Sequence, residues 1–253
     1  MAFAGEGERA AVKPPRLPDS FGGVSRIEAK DLRMAPKWTL ALAIVLCATP
    51  ALADDAACKQ AAKDHASFKA IISDDDAGKP QYETVERGND DRVVITRYVA
   101  DQKRMVRYTI HGLFAKENEV TMGGTSVRFG ISHTIDVAKL MPLKPNTSAK
   151  YQSVMVREGT FQPQYSDVTL TVGEAHEAAL GGCTLQVFDV TVESHAPAMG
   201  LVSTFKAAFA PALDYSLDSS LEIARNANVK TYVTKLREIQ PWSPSQDPPK
   251  PTP

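Results

Sequence analysis

Residues 167–172 read DVTLTV, and that alternation decides the fold. Val168, Leu170 and Val172 take every second place, with Asp167, Thr169 and Thr171 between them. Side chains on a strand point to opposite faces in turn, so this spelling predicts a β-strand with one face buried and one in water. Outward from it the same spelling recurs. Val106, Tyr108 and Ile110 alternate with Arg107 and Thr109, while Leu201, Phe205, Ala207 and Phe209 share a face opposite Thr204 and Lys206. Residues 93–99, 127–135, 149–157, 217–223 and 229–236 add further expected strands. Turn signals fall between them at Asn89-Asp90, Gly123-Gly124, Glu158-Gly159 and Gly181-Gly182.

Residues 183–193 (CTLQVFDVTVE) change phase at Val187-Phe188, which predicts either a bulge or a strand covered on both faces. The segment 140–146 (LMPLKPN) carries two prolines and marks either a division into two halves or one long connection within a single sheet. Strands joined by short turns predict an antiparallel meander, forming a curved sheet or a partly closed barrel. Ahead of it, residues 54–73 read as an amphipathic helix, since Cys58, Ala61, His65, Phe68 and Ile72 recur at spacings of three and four. Asp54 or Asp55 can cap its start, and Gly78 and Pro80 lie past its end. The expected class is mainly β with an N-terminal helix (α+β), as one domain over residues 54–240. Residues 241–253 hold six prolines and are expected to be extended or disordered.

The segment 34–53 has the three parts of a secretory signal. Lys37 gives the basic start, residues 38–48 (WTLALAIVLCA) the apolar run, and Ala51-Leu52-Ala53 the small-residue site, so cleavage is expected between Ala53 and Asp54. A membrane-spanning helix needs about 20 apolar residues. This run is about half that and ends at Pro50, so no membrane span is expected after cleavage. A lipid anchor on Cys47 fits poorly, because Leu46 stands where a small residue is needed. Residues 1–33, with Pro14, Pro15 and Pro18 and no apolar period, are expected to be an unstructured upstream extension, with Met34 as the start. The expected location is outside the cytoplasm, in a bacterial periplasm.

The first 53 residues hold seven of the 29 Lys and Arg and five of the 30 Asp and Glu, leaving residues 54–253 with a net charge of −3. That is not the basic excess of a nucleic-acid binder, so no nucleic-acid partner is expected. Cys58 and Cys183 remain after the signal leaves. In an oxidising compartment such a pair predicts a disulfide. It would close a loop of about 125 residues and stabilise by up to about 5 kcal/mol.

Catalytic motifs fail on spacing. His176-Glu177 begins a zinc-protease pattern, but Leu180 stands where the second histidine must be, one helical turn on. Asp74-Asp75-Asp76 lacks the glycine and glutamate positions of a calcium loop. No Gly-x-Ser-x-Gly or phosphate-cradling loop is spelled out, and His65, His111, His133 and His195 are isolated. No catalytic, metal or cofactor residue is therefore assigned. Arg92, Arg97, Lys103, Arg104 and Arg107, interleaved with Tyr98 and Tyr108, form a basic cluster that could touch anionic lipid or polysaccharide.

From Leu140 onward the chain resembles uncharacterised exported bacterial proteins. The resemblance rests on the lead-in Leu140 to Lys144, the strand Thr169 to Val172 and the apolar strand Cys183 to Val192. It implies a periplasmic, β-rich protein and no known activity. Three roles follow. The first is a non-catalytic envelope protein that binds a partner or assembles through its sheet. The second is a carrier of a lipid or other apolar ligand, with Val106, Ile110, Val168, Leu170, Phe205 and Phe209 as the expected lining. The third is a hydrolase whose acid and base meet only in the fold.

Overall fold

The computed structural model describes residues 51–74, 80–88, 90–160, 162–225 and 228–244. The upstream extension, most of the signal with Cys47, the aspartates 75–76, Asn89 and the tail beyond 244 lie outside these. The fold is a closed antiparallel barrel of twelve strands with one N-terminal helix. The helix α1 is Ala51–Asp64. The first strands are β1 Phe68–Asp74, β2 Gln81–Arg87, β3 Arg92–Val99, β4 Gln102–Ile110, β5 Phe114–Met122 and β6 Thr125–His133. After them come β7 Thr147–Arg157, β8 Gln164–Leu180, β9 Cys183–Ala196, β10 Leu201–Ala210, β11 Tyr215–Arg225 and β12 Asn228–Pro241. Each strand pairs with its neighbours in sequence, and β1 closes the ring by pairing with β12 as well as β2.

The helix stops nine residues short of its expected limit. It ends at Asp64, His65 turns the chain with φ 49°, and Phe68–Asp74 is a strand. The misreading has a geometric cause: residues four apart share a face in a helix and in a strand alike. Phe68 and Ile72 are buried as expected, but from β1.

At Val187-Phe188 both residues are buried, Val187 in one core cluster and Phe188 in the other. The bulge itself lies in β8, where Gly173 and Glu174 oppose the single residue Asp189. Gly173 belongs there because a Cβ would come within 3.2 Å of the Asp189 side chain. Across 140–146 the ladder continues, with β6 paired to β7. The Gly123-Gly124 pair has positive φ at both positions, as a tight hairpin needs, and joins β5 to β6.

Helix α1 lies across one end of the barrel. Its Ala57, Cys58 and Ala61 are buried against Phe68, Leu213 and Ile239, which sit where β1 begins, β10 ends and β12 ends. The Cys58–Cys183 disulfide ties it to the start of β9. Outward-facing strand positions carry Lys150, Asp167, Glu193, Lys206, Glu222 and Lys235, all exposed. A charge on a lipid-facing barrel wall costs up to about 2–4 kcal/mol at mid-membrane, so this outer face is built for water. Among the described residues no helix is long and apolar enough to cross a membrane.

Candidate functional site

An eight-stranded barrel is about filled by its own side chains, and the interior widens with each added strand. Twelve strands therefore enclose spare volume, and a cavity of about 420 Å³ lies inside. It borders both core clusters, touching Ile95 and Tyr215 of one and Phe114, Tyr151 and Val168 of the other. Met199 in the turn before β10, Leu201 at its start and Ser194 near the end of β9 carry it away from α1.

Of the six residues expected to line such a space, Val168 and Phe205 do so. Leu170 and Phe209 are packed into the second core cluster, with Ile110 against it. Val106 is misassigned. Its neighbour Arg107 lines the cavity, so alternation turns Val106 to the other side. Reading β4 by apolarity puts the wrong face inside, because the interior here is polar.

The polar feature is centred on Glu83 of β2, whose side chain is 1% exposed. Arg97 Nε donates to its Oε1 at 2.7 Å, and Arg107 Nη2 lies 3.3 and 3.2 Å from its two oxygens. Tyr215 donates its hydroxyl to Oε2 at 2.6 Å. Burial alone would raise the Glu83 carboxyl, but Arg107, Arg97 and the Tyr215 hydroxyl outweigh it and hold the group below its ordinary value. Burial and the Glu83 charge push the Tyr215 hydroxyl well up, so it stays a neutral donor. Arg97 also reaches Thr234 of β12 at 3.3 Å. The expected surface basic cluster is thus divided. Arg97 and Arg107 serve the interior, while Arg92 pairs with Asp90 at 2.7 Å on the surface and Arg104 bonds Gln102 at 2.6 Å.

His133 stands in the cavity wall beside Ser153, its direct ladder partner. Its Nε2 is 3.0 Å from the Ala115 carbonyl, which can only accept, so that nitrogen carries the proton. Burial lowers the ring below its ordinary value. The neutral Nδ1 then accepts from the Ser153 hydroxyl at 2.8 Å. A serine bonded to a histidine resembles a nucleophile and its base. Both residues, however, sit in regular ladders whose amides pair with neighbouring strands.

A second pocket, of about 530 Å³, lies at the barrel end under α1. Four connections meet there, each through a non-glycine residue in the left-handed region: His65, Asp91, His111 and Asp214, with φ 46–51°. His111 bridges two carboxylates, with Nδ1 3.5 Å from Asp214 and Nε2 3.7 Å from Asp91. This is the His–carboxylate meeting that the hydrolase reading required. Yet both ring nitrogens face carboxylates, and no serine, threonine or cysteine is among the pocket's lining residues. His111 thereby links the connections that carry Asp91 and Asp214. His176 lies exposed on strand β8, 4.0 Å from Asp189, not on a metal-binding helix. Among the described residues no three His, Cys, Asp or Glu side chains gather as metal ligands.

No family model matches the chain, and no curated protein matches it in sequence. Among solved structures it is similar to the hypothetical lipoprotein YmcC from Escherichia coli K12. The TM-score is 0.40 and the identity 10%, over 75% of this chain and 92% of that one.

Proposed function

We propose that this chain is an exported, non-catalytic binding protein of the bacterial envelope that carries a small, largely apolar ligand inside its barrel. The cavity of about 420 Å³ carries the reading. Its size falls within the few hundred Å³ usual for small-molecule sites, which combine apolar walls with a few placed polar groups. The signal read at Met34 supports an extracytoplasmic setting. So does the Cys58–Cys183 bond, of a kind that persists in oxidising compartments. The ring closes, but the β8–β9 hairpin extends past its neighbours, with residues 175–180 paired to β9 alone.

Native mass spectrometry of protein taken from its own host tests this directly, as does titration with an uncharged apolar dye such as N-phenylnaphthylamine. A co-purifying amphiphile, or saturable dye binding lost when Ser203 on the cavity wall is enlarged in Ser203→Trp, is the expected result. A folded protein that arrives empty and binds no dye rejects the carrier reading and leaves a binding or assembly module.

A further inference from the structure

The carboxylate and guanidinium charges of the cavity lie on one side of the ring. Glu83, Arg97, Arg107, Tyr215 and Thr234 come from β2, β3, β4, β11 and β12, a run made continuous by β1. The facing run β6 to β10 supplies Ile131, Met155, Val168, Val192, Leu201 and Phe205 together with the uncharged polar side chains of Ser153, Ser166, Ser194 and Ser203 and with His133. A matching ligand therefore has a polar head and an apolar body.

The sign of the head follows from which groups still have capacity. Glu83 does not: two guanidiniums and a phenol donate to its two oxygens. Arg107 does. Only its Nη2 reaches Glu83, and its Nε is buried without a hydrogen-bond partner. Buried donors are rarely left so, because the lost hydrogen bond to water is not replaced. The guanidinium fork matches the paired oxygens of a carboxylate or phosphate. Glu83 fixes that fork in place before any ligand arrives. Arg97 is set aside here, since Glu83 and Thr234 engage it.

Building on the carrier reading, we infer that the cavity takes an anionic amphiphile, an apolar chain ending in a carboxylate or phosphate. The head sits on Arg107, and the chain lies along Val168, Leu201 and Phe205.

The test is competition against N-phenylnaphthylamine on the delipidated full chain, with decanoate, decyl phosphate, methyl decanoate and decylamine as competitors. At least one acid should bind about tenfold or more tighter than the ester, the size expected of a charge-assisted hydrogen bond, and the amine no tighter than the ester. Which acid wins separates a fatty-acid head from a phosphate head. Arg107→Gln should erase the preference for the acid while dye binding persists. Should that variant fail to fold, Arg107→Lys keeps the charge, removes the fork and should still weaken the preference. Acid and ester binding equally would overturn the anionic head and leave the carrier reading standing. No dye binding to the folded wild-type chain would instead remove the carrier reading itself.

Discussion

The Tyr215 hydroxyl donates to Glu83 Oε2 at 2.6 Å, joining β11 to β2 through the barrel interior. Both residues are buried from bulk solvent. Tyr215→Phe should cost about 1.5–3 kcal/mol, the value of a hydrogen bond to a charged group. Glu83→Gln should cost more, about 3 kcal/mol, because it leaves two guanidiniums without their counter-charge. Urea unfolding monitored by circular dichroism gives both numbers, and the reverse order would contradict the assigned network.

Acid should act through the same carboxylate. In the unfolded chain Glu83 titrates near its ordinary value of about 4.3. In the fold it lies lower, since Arg107, Arg97 and Tyr215 outweigh the effect of burial. A depressed carboxyl contributes stability that is complete above the unfolded value and is lost as pH falls through the folded one. Unfolding free energy should therefore decline below about pH 4. In Glu83→Gln the decline should be shallower. Urea midpoints measured down to pH 3 for both proteins would show it, and parallel slopes would rule it out.

That network also marks where the sequence stopped being legible. The alternation in residues 167–172 predicts β8 correctly because its inner face is apolar, with Val168, Leu170 and Val172 all buried. In β4 the same rule picks Val106 over Arg107, since hydropathy cannot reveal that a charged side chain has a buried partner 24 positions away. Strand β5 (FAKENEVTM) has little apolar alternation to read, its middle being Lys116, Glu117, Asn118 and Glu119. The end pocket is assembled from single residues on four separate connections, and no local pattern brings His65, Asp91, His111 and Asp214 together. The cavity itself follows from strand number and closure, which are properties of the whole ring rather than of any segment.

The disulfide has a different signature from packing. Cys58 and Cys183 close a loop of 125 residues, and α1 meets the barrel through the same contact. Cys58→Ala should lower stability by about 2–5 kcal/mol. Wild-type protein unfolded under reducing conditions should match it, and intact mass should rise by two hydrogen atoms on reduction. A wild-type chain whose stability ignores reductant would show that the bond is not formed in solution.

Two glycines separate steric need from backbone freedom. Gly112 has φ +68°, and a Cβ there would overlap the carbonyl of Asp214. Gly124 has φ +82° with nothing within 4 Å of an added Cβ. Gly124→Ala should therefore cost only the left-handed strain, about 1 kcal/mol. Gly112→Ala must in addition force the Asp214 turn aside, and with it the loops that His111 holds. Thermal unfolding should show a drop of about 2–4 °C for Gly124→Ala and a clearly larger one for Gly112→Ala.

Arg87 is the remaining fastener of the α1 end. The last four carbonyls of a helix lack partners within it. One of these, on Ala61, accepts from Arg87 Nη1 at 2.8 Å. The same guanidinium donates through Nη2 to Ala212 at 3.2 Å, lies 3.7 Å from the Asp214 carboxylate and sits over the Phe68 ring. One planar fork thus joins the end of α1, the 211–213 turn and the start of β1. Lysine keeps the charge but, with a single ammonium on a flexible stem, cannot hold these directions at once. Arg87→Lys should cost about 1–3 kcal/mol and speed hydrogen exchange of the α1 amides. Arg92→Lys is the comparison. Its pair with Asp90 is largely exposed, and the change should leave stability and α1 exchange unaltered. Equal effects from the two substitutions would mean that charge, not the fork, secures the helix.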